Sequence, residues 1–372
     1  MVGRTTPWRA VFLSLTGQDD NIGDVVLRRR LLHDVAGLGR CHALVVGQSA
    51  GYVDGLAAPP GVALYSSRRR WGLALLAALC RGRVLHLGPA GEVHGEGRGD
   101  REGAVRLLRE RVIDWLRRRR GSRFAWVGVG ARNPSDERLA AVRRLALVAS
   151  PMIWRDAESS RVLGGTTGPD WAFGEDGREL GVVREPGPRD VLAVSLRSGG
   201  SGVSDAWVDG VRLACRRLSL RPLTFVQVRR DGPVNEELAA RLGGEHLPWP
   251  ADVEHRGQEV RVRAQLSTAA LVLSDRLHAL ILGTTEGAVP VSVFSHPDLK
   301  IGRSMAAAGI DGVSADASGM SADEVADFLC DAVGRRAEIL GAAADAAQRV
   351  RGYGGLLADP AAPRTVGVPV AG

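Results

Sequence analysis

The sequence predicts an α/β protein of two domains, each built around a parallel sheet. Short apolar runs alternate with amphipathic stretches from end to end, which is the pattern of repeated βαβ units. The 372 residues suffice for two domains with separate hydrophobic cores. A stretch of Gly, Pro and charged residues without periodicity, Gly174–Asp190, divides the alternation into two series, as a linker would. We therefore expect a first domain over residues 1–180 and a second over residues 181–350.

The first series contains five apolar runs, and each of them predicts a strand. These runs are Ala10–Leu15, His42–Gly47, Val84–Gly88, Phe124–Ala131 and Met152–Asp156. Helices fit between them, and the stretch Asp100–Arg120 places its apolar residues at helical spacing. Its arginine-rich end is typical of a solvated surface at a helix C-terminus, where the helix dipole favours positive charge. Nucleic-acid contact is the alternative interpretation of that end.

The second series contains four apolar runs that predict strands, and helical patterns separate them. The strands are Val191–Arg197, Pro222–Val228, Ala270–Asp275 and Val289–Phe294. The helices are expected over Ser204–Leu218, Val234–Leu242, Val260–Thr268, Arg276–Thr285 and Leu299–Ala308. The segment Ser321–Val350 predicts one or two further helices, because Ser321 followed by Glu324 forms a capping box. The tail from Arg351 is rich in Gly, Pro and Ala and is expected to be loosely held.

The composition narrows the range of partners. Lys and Arg number 49 against 42 Asp and Glu, a formal net charge of +7, which indicates either an anionic ligand or a coding bias towards arginine. Nucleic acid is not expected, because the arginines are dispersed and aromatic residues make up only 5%. The four cysteines lie far apart without a CxxC pair, and no carboxylates or histidines have metal-ligand spacing. We therefore expect neither a metal nor a cofactor.

The apolar runs are too short for a secretory signal or a membrane span. The run near the N-terminus, AVFLSL, has six residues and is followed by the polar stretch TGQDDNIGD. Four dispersed cysteines suit a reducing compartment. We therefore expect a cytoplasmic protein without a membrane span.

Functional residues are expected where strands end, because ligands of open parallel sheets bind beyond the carboxyl ends of the strands. After the first strand, the stretch NIGD provides Asn21 for a tight turn and Asp24 in the first turn of a helix. Asp24 can stabilise free N–H groups there or bind a substrate hydroxyl, and the sequence leaves both roles open. Arg155 follows the fifth strand, Asp170 can return to the same edge, and Arg197 follows the first strand of the second series.

The stretch SDRLHALILG, after the third strand of the second series, is the most informative. Ser274 or Asp275 can cap the helix that Arg276 opens, and the apolar residues after His278 predict a helix buried against the sheet. Arg276 and His278 could be structural residues that tie loops together. However, an arginine, a histidine and free helix N–H groups meet here at a carboxyl strand end, and all three suit an anion. This convergence favours a functional site.

The longer stretch SDRLHALILGTTEGAVPVSV resembles the signature of the polysaccharide pyruvyl transferase family, which carries a Ser-x-Arg-Leu-His-Ala segment. Other stretches match in the same order: NIGD near the N-terminus, RDAESSRVL and PDWAF in mid-chain, VSLR in the second half and HPDLKIGRSMAAAGI near the end. Together they span almost the whole chain. One departure is LGPAGEVHG, Gly88 to Gly95 with the leucine before it, where family members commonly have a glycine triplet. This departure concerns the N-terminal side, where the acceptor is expected.

The resemblance implies two Rossmann-like domains, similar to those of GT-B glycosyltransferases, with phosphoenolpyruvate as the donor. Such an enzyme moves the enolpyruvyl-derived group onto two hydroxyls of one sugar in a polysaccharide or glycan precursor, forming a pyruvate ketal and releasing phosphate. The resemblance implies that His278 is the catalytic residue and that Arg276 and Arg197 bind the donor. The remaining residues predicted to bind substrate are Ser274, Asp24, Asn21, Arg155 and Lys300.

The residue types can be compared with this chemistry. An enol phosphate needs an acid at its methylene carbon, and histidine is the side chain best suited to that role near neutral pH. Arginines suit a donor with one carboxylate and one phosphate. The positive end of a helix disfavours an imidazolium at the third helical position, so a bound donor or Asp275 would have to offset that effect. Because residues two apart on a helix point to nearly opposite sides, Arg276 and His278 can share only a ligand that lies off the helix end.

Two other interpretations remain open at this stage. A GT-B-type glycosyltransferase that uses a nucleotide sugar would have the same architecture and would also place cations on a diphosphate. A catalytically silent binding protein of the same fold is the third interpretation, and the altered LGPAGEVHG loop is the feature that favours it. Contacts with a base and a ribose would identify the first of these, and the absence of turnover would identify the second.

Overall fold

The structure is a computed structural model that describes residues 7–93, 116, 120–131, 140–182, 187–199, 202–295 and 299–359. The described residues form two parallel sheets. The first contains the strands β1 (Ala10–Ser14), β2 (Arg40–Leu44), β3 (Ala63–Tyr65), β4 (Val84–Leu87), β5 (Gly91–Val93), β6 (Arg123–Ala131), β7 (Ala149–Trp154) and β8 (Thr166–Thr167). Their order is β3-β2-β1-β4-β6-β7-β8, and β5 pairs with β6. We call the part of the chain built on this sheet the first domain.

The second sheet defines the second domain. It contains β9 (Val191–Ser195), β10 (Arg221–Phe225), β11 (Glu245–Leu247), β12 (Ala269–Ser274), β13 (Val289–Phe294) and β14 (Ser314–Asp316), in the order β11-β10-β9-β12-β13-β14. Counted within the domain this order is 3-2-1-4-5-6, that of a Rossmann fold, and the first sheet begins in the same way. Both sheets reverse their strand order beside their first strand. In folds of this kind, ligands bind at that reversal.

Helices connect most of the successive strands. They are α1 (Ile22–Ala36), α2 (Ala50–Gly55), α3 (Arg68–Arg81), α4 (Ala140–Ala146), α5 (Ala157–Leu163), α6 (Asp205–Leu218), α7 (Gly232–Leu242), α8 (His255–Leu266), α9 (Leu277–Thr285), α10 (Leu299–Ala307), α11 (Ala322–Gly334), α12 (Arg336–Arg351) and α13 (Tyr353–Ala358). Short 3-10 helices lie at Trp171–Gly174, Gly177–Leu180 and Arg229–Asp231. In the described part of the chain, none of the helices combines the length and apolar composition that a membrane crossing requires.

The predicted architecture of two parallel-sheet α/β domains is confirmed. Each of the nine apolar runs predicted as strands overlaps an observed strand. Five observed strands were not predicted, namely β3, β5, β8, β11 and β14. Each has only two or three residues, and four of them lie at sheet edges, so they are too short to show periodicity in the sequence. The predicted helix over Asp100–Arg120 lies outside the described residues, apart from positions 116 and 120.

The C-terminal region differs from the prediction in part. The capping box at Ser321 is present, and the segment after it forms two helices, α11 and α12. The expectation of a loose tail from Arg351 is wrong for its first residues, because α13 packs against the first domain. Its Tyr353 and Leu357 are buried, and the Trp8 indole donates to the Leu357 carbonyl at 2.8 Å. The buried side chains of Tyr353 and Leu357 and the hydrogen bond from Trp8 therefore hold this segment against the first domain.

A buried ion network ties helix α1 of the first domain to α8 of the second. The Arg29 guanidinium donates to Glu259 at 2.8 Å and to Glu175 at 2.9 Å. Arg263 continues the network, donating to Glu259 at 2.9 Å and to Glu286 at 2.7 Å. Burial raises the pKa of Glu259, but the Arg29 and Arg263 guanidinium groups outweigh this effect and lower it to about 2. At Glu175 burial outweighs the effect of Arg29 and raises the pKa of the carboxyl. Each charge of the network therefore depends on its partners.

We expect Arg29→Met to be strongly destabilising. The substitution leaves Glu175 and Glu259 buried with less positive charge beside them, and breaking a buried ion pair in this way costs about 3–5 kcal/mol of the free energy of unfolding. Urea unfolding followed by circular dichroism measures the loss. Arg212→Met is the matched control, because Arg212 pairs with Asp209 on an exposed helix surface and should change stability by only about 0.5 kcal/mol. Equal losses in both variants would contradict the prediction.

Candidate functional site

A cleft of about 470 Å³ lies where the carboxyl ends of the two sheets face each other. Residues that follow β1 and β4 in the first domain line it, together with residues that follow β9 and β12 in the second. The strand order reverses between β1 and β4 in the first sheet and between β9 and β12 in the second. Ligands are expected to bind at each of these reversals, and both reversals open into this one cleft. Seven of the eight predicted site residues line the cleft, namely Asn21, Asp24, Arg155, Arg197, Arg276, His278 and Lys300.

Ser274 is the predicted site residue that the structure does not place in the cleft lining. Its side chain is buried beneath the turn, where its hydroxyl donates to the Ser195 carbonyl at 2.5 Å and accepts from the Arg276 N–H at 2.9 Å. Ser274 therefore shapes the turn and joins β12 to β9. The expected capping by Ser274 or Asp275 is also wrong, because Arg276 is the N-cap residue of α9 and no side chain caps it.

Arg276 and His278 both face the cleft because only one of them lies on the helix. Arg276 has an extended backbone, with φ −109° and ψ 116°, whereas His278 is the second residue of α9 and not the third. The expected conflict between two residues on opposite sides of a helix therefore does not arise. Two hydrogen bonds from the Arg276 guanidinium to Asp231, each 2.9 Å, fix its orientation. Burial lowers the pKa of Arg276, and Asp231 offsets part of that effect.

Arg197 is held more loosely than the other arginine of the second domain. Its backbone N–H donates to Asp275 at 2.8 Å, but its side-chain Nε lies 3.8 Å from the other Asp275 oxygen, beyond hydrogen-bond distance. The Arg197 side chain is 39% exposed. Burial raises the pKa of Asp275, which weakens its hold on a neighbouring cation at acidic pH. Arg197 is thus positioned to take an anionic group without breaking a strong existing pair.

His278 lies at the contact between the domains. The Cα of Gly23 in α1 approaches it so closely that a Cβ at this position would lie 2.4 Å from the His278 Cβ. The His278 Nε2 is 3.6 Å from Asp170 and forms no hydrogen bond with any described residue. Asp170 accepts from Arg155 at 2.6 Å. Burial would raise the pKa of Asp170, but His278 and Arg155 hold it well below its usual range.

The first-domain wall is formed by the start of α1. Asn21 caps this helix, accepting from the Gly23 N–H at 2.9 Å, and also accepts from the Gln227 side chain of the second domain at 2.7 Å. Asp24 accepts from the Gln18 N–H at 2.6 Å and pairs with Arg28 at 3.1 Å, so it supports the preceding loop instead of capping the helix. Burial would raise the pKa of Asp24, but Arg28 and His278 lower it.

The loop that follows β4 forms another part of the wall. Gly91 and Glu92 line the cleft, and Glu92 pairs with Lys300 of the second domain at 3.0 Å. Two side chains hold the loop: the Trp126 indole donates to the Pro89 carbonyl, and Arg28 donates to the Ala90 carbonyl. This loop therefore has an ordered position at the cleft up to residue 93, and the rest of LGPAGEVHG lies outside the described residues.

The charge of the lining suits an anion. Six Arg and Lys side chains line the cleft, against three carboxylates, Asp24, Glu92 and Asp275. Among the described residues, no group of three or more His, Cys, Asp or Glu side chains is arranged to hold a metal ion. Arg28, Arg230 and Gln227 are among the lining residues that the sequence analysis did not identify. Arg28 lies inside a helical pattern, and the other two follow a strand without any motif, so only a rule about strand ends could have found them.

Comparison with models of known protein families and with curated protein sequences gives no match. Solved structures are similar. A UDP-GlcNAc 2-epimerase from Neisseria meningitidis bound to UDP-GlcNAc has a TM-score of 0.55 and 10% identity, covering 94% of this chain and 97% of that one. UGT2 of Phytolacca americana, complexed with UDP-2-fluoro-glucose and pterostilbene, has a TM-score of 0.51 and 11% identity, covering 90% and 94%. At such low identity the likeness shows the fold: two parallel-sheet α/β domains of the GT-B type.

We expect Gly23→Ala to destabilise the contact between the domains. The added methyl would meet the His278 Cβ at 2.4 Å and the Gln227 amide at 2.6 Å, and overpacking of this kind costs about 1–3 kcal/mol. Thermal unfolding measures the loss. Gly37→Ala, at the other end of the same helix, is the control, because no atom lies within 4 Å of its new methyl group. The prediction is wrong if the two variants melt at the same temperature.

Proposed function

We propose that the chain is a ketal-forming pyruvyltransferase of the polysaccharide pyruvyl transferase type. In this proposal phosphoenolpyruvate is the donor, and the acceptor is a sugar of a polysaccharide or glycan precursor. The observation that carries the proposal is that His278 lines the cleft together with two arginines, Arg197 and Arg276, at the reversal of the second sheet. A GT-B-type architecture, which the chain shares with carbohydrate-active enzymes, supports the coarser assignment to a transferase of glycan metabolism.

The donor is assigned to the second-domain side of the cleft. Phosphoenolpyruvate carries one carboxylate and one phosphate, which call for separate cationic partners. Arg276 is oriented by Asp231 and lies at the open N-terminus of α9, whose free N–H groups also favour an anion. Arg197 supplies a second, more exposed guanidinium. A donor bound to both would bring a negative charge close to His278 and would favour its protonated form.

In the proposed reaction His278 is the proton donor and two sugar hydroxyls are the nucleophiles. The imidazolium gives its proton to the methylene carbon, which becomes a methyl group, and the first hydroxyl oxygen bonds to the adjacent carbon. The bond between that carbon and the phosphate oxygen breaks, and the second hydroxyl closes the ketal. One hydroxyl proton restores the imidazolium and the other leaves with phosphate or solvent, so the products are the ketal and inorganic phosphate. Asn21 and Asp24, on the opposite wall, are assigned to the acceptor.

The competing candidate is a glycosyltransferase that uses a nucleotide sugar. It is favoured by the two structures of the same fold that contain UDP-sugars. The lining argues against it, because no described residue of the cleft wall is a Phe, Tyr or Trp on which a base could stack. Charged and amide side chains dominate the wall instead, and these suit a small anion with a sugar better than a nucleotide.

Ligand-dependent thermal stability separates the two candidates. We expect millimolar phosphoenolpyruvate to raise the melting temperature, since a ligand at about a hundred times its dissociation constant stabilises the fold by about 2.7 kcal/mol. UDP should give no comparable rise. The rise should disappear in Arg276→Ala and persist in Arg221→Ala, whose arginine is exposed and pairs with Asp190 and Glu245 away from the cleft. A rise with UDP alone would favour the nucleotide-sugar enzyme.

Replacing the proposed acid should separate chemistry from binding. We expect His278→Ala to lower pyruvyl transfer about 10²–10⁴-fold, the usual contribution of a general acid, and to keep most of the stabilisation by phosphoenolpyruvate. Phosphate release and the mass of the ketal product, with glycan acceptors present, measure transfer. His33→Ala is the control, because His33 contacts the Ala57 carbonyl at an exposed site. Survival of transfer in His278→Ala would show that another group is the acid.

A further inference from the structure

Asp170 occupies an unusual position for a carboxylate. It has no exposed surface, and it belongs to the first domain, where it caps the 3-10 helix Trp171–Gly174 by accepting from the Ala172 N–H at 2.9 Å. The Trp171 indole fixes that helix by donating to the Val127 carbonyl at 2.7 Å. The same carboxylate faces the second domain, because its Oδ2 lies 3.6 Å from the His278 Nε2. A hydrogen-bonded turn of one domain therefore presents a buried negative charge to the histidine of the other.

The His278 nitrogen that faces Asp170, Nε2, has no other polar partner in the described part of the chain. The His278 Nε2 is buried and forms no hydrogen bond there. A buried polar atom without a partner is costly, and the nearby carboxylate can remove that cost if the two groups approach by less than about 1 Å. In free enzymes such hydrogen bonds are often long and shorten when substrate binds. The observed distance therefore fits a pair that tightens in the working complex.

A second carboxylate, Asp24, interacts electrostatically with His278, but it is less well placed than Asp170 to pair with the imidazole. Asp24 pairs with Arg28 and accepts from the Gln18 N–H, so it is already engaged. Besides Asp170, the charged groups that line the cleft with the histidine are Asp24, Arg28, Glu92 and Arg155 of the first domain and Arg197, Arg230, Asp275, Arg276 and Lys300 of the second. Of all these carboxylates, only Asp170 lies within ion-pair distance of the imidazole.

We infer that Asp170 is a positioning residue, which orients the His278 imidazole and stabilises its positive charge across the contact between the domains. Arg155 shares the carboxylate and holds it in place at 2.6 Å. A carboxylate behind a histidine fixes the ring orientation and stabilises the imidazolium, and this role does not require the carboxylate to touch substrate. The inference deepens the proposed function and rests on it for the catalytic role, but the pairing itself holds for any chemistry in the cleft.

A thermal double-mutant cycle tests the pairing without any activity assay. Wild type, Asp170→Asn, His278→Ala and the double variant are melted at about pH 6, where an imidazole carries more charge, and at about pH 9, where it carries less. We expect the double variant to lose less melting temperature than the two single losses combined, because the partners interact directly, and we expect this difference to shrink at about pH 9. If the Asp170→Asn variant does not fold, Asp170→Ser replaces it in the cycle.

Asp156→Asn provides the matched control. Asp156 is a buried carboxylate of the same domain that accepts from the Ser159 N–H and hydroxyl at the start of α5. A cycle of Asp156→Asn with His278→Ala should be additive at both pH values. If the Asp170 cycle is additive as well, or if its coupling is the same at both pH values, the pairing is overturned.

The role of Asp170 in catalysis is tested separately, by steady-state kinetics. In an enzyme that transfers pyruvate from phosphoenolpyruvate, Asp170→Asn should lower kcat about 100-fold and leave the KM for phosphoenolpyruvate within about threefold. Unchanged kcat together with a coupled cycle would overturn the positioning role. A coupled cycle in a protein that neither binds phosphoenolpyruvate nor transfers pyruvate would support the pairing and would refute the proposed function alone.

Discussion

The cleft depends on the fixed position of helix α1 between the two domains. Its start brings Asn21 and Asp24 to the cleft and Gly23 against His278. Arg29, two turns further on, is held by Glu175 and Glu259 in a buried ion network. Ion pairs that are this buried contribute little net stability compared with apolar packing, but removing one partner is costly. The main effect of the network is therefore to fix the position of α1, and with it the place where the start of this helix contacts His278.

Positive charge in the cleft is distributed in pairs. Arg28, Arg155, Arg276 and Lys300 each contact a carboxylate, so the cations do not repel one another when no ligand is bound. Arg197 departs from this pattern, because its carboxylate partner is beyond hydrogen-bond distance. An arriving anion would therefore meet arginines whose orientation is already set, and would need to reorient mainly Arg197. Preorganised donors of this kind act without a reorganisation cost at the moment of binding.

The central strands of both sheets and most of the site residues could be predicted from the sequence. Buried parallel strands are continuous apolar runs, and the rule that ligands bind at strand ends led directly to Asn21, Arg197 and His278. Contacts between residues distant in sequence could not be read in the same way. Ser274 looked like a site residue because it stands beside Arg276, yet its hydroxyl bonds to the neighbouring strand. The pairing of Asp170 with His278 joins residues 108 positions apart, and no local pattern records it.

The return of the chain to the first domain at α12 and α13 has a mechanical consequence. The polypeptide passes between the domains twice, first near Glu175 and again through α12, whose Val350 packs close to Gly174. A domain attached at a single point can swivel in any direction, whereas two neighbouring attachment points leave rotation about the line through them as the easiest motion. Opening of the cleft would then follow one path, and His278 would return to the same place against Gly23 on every closure.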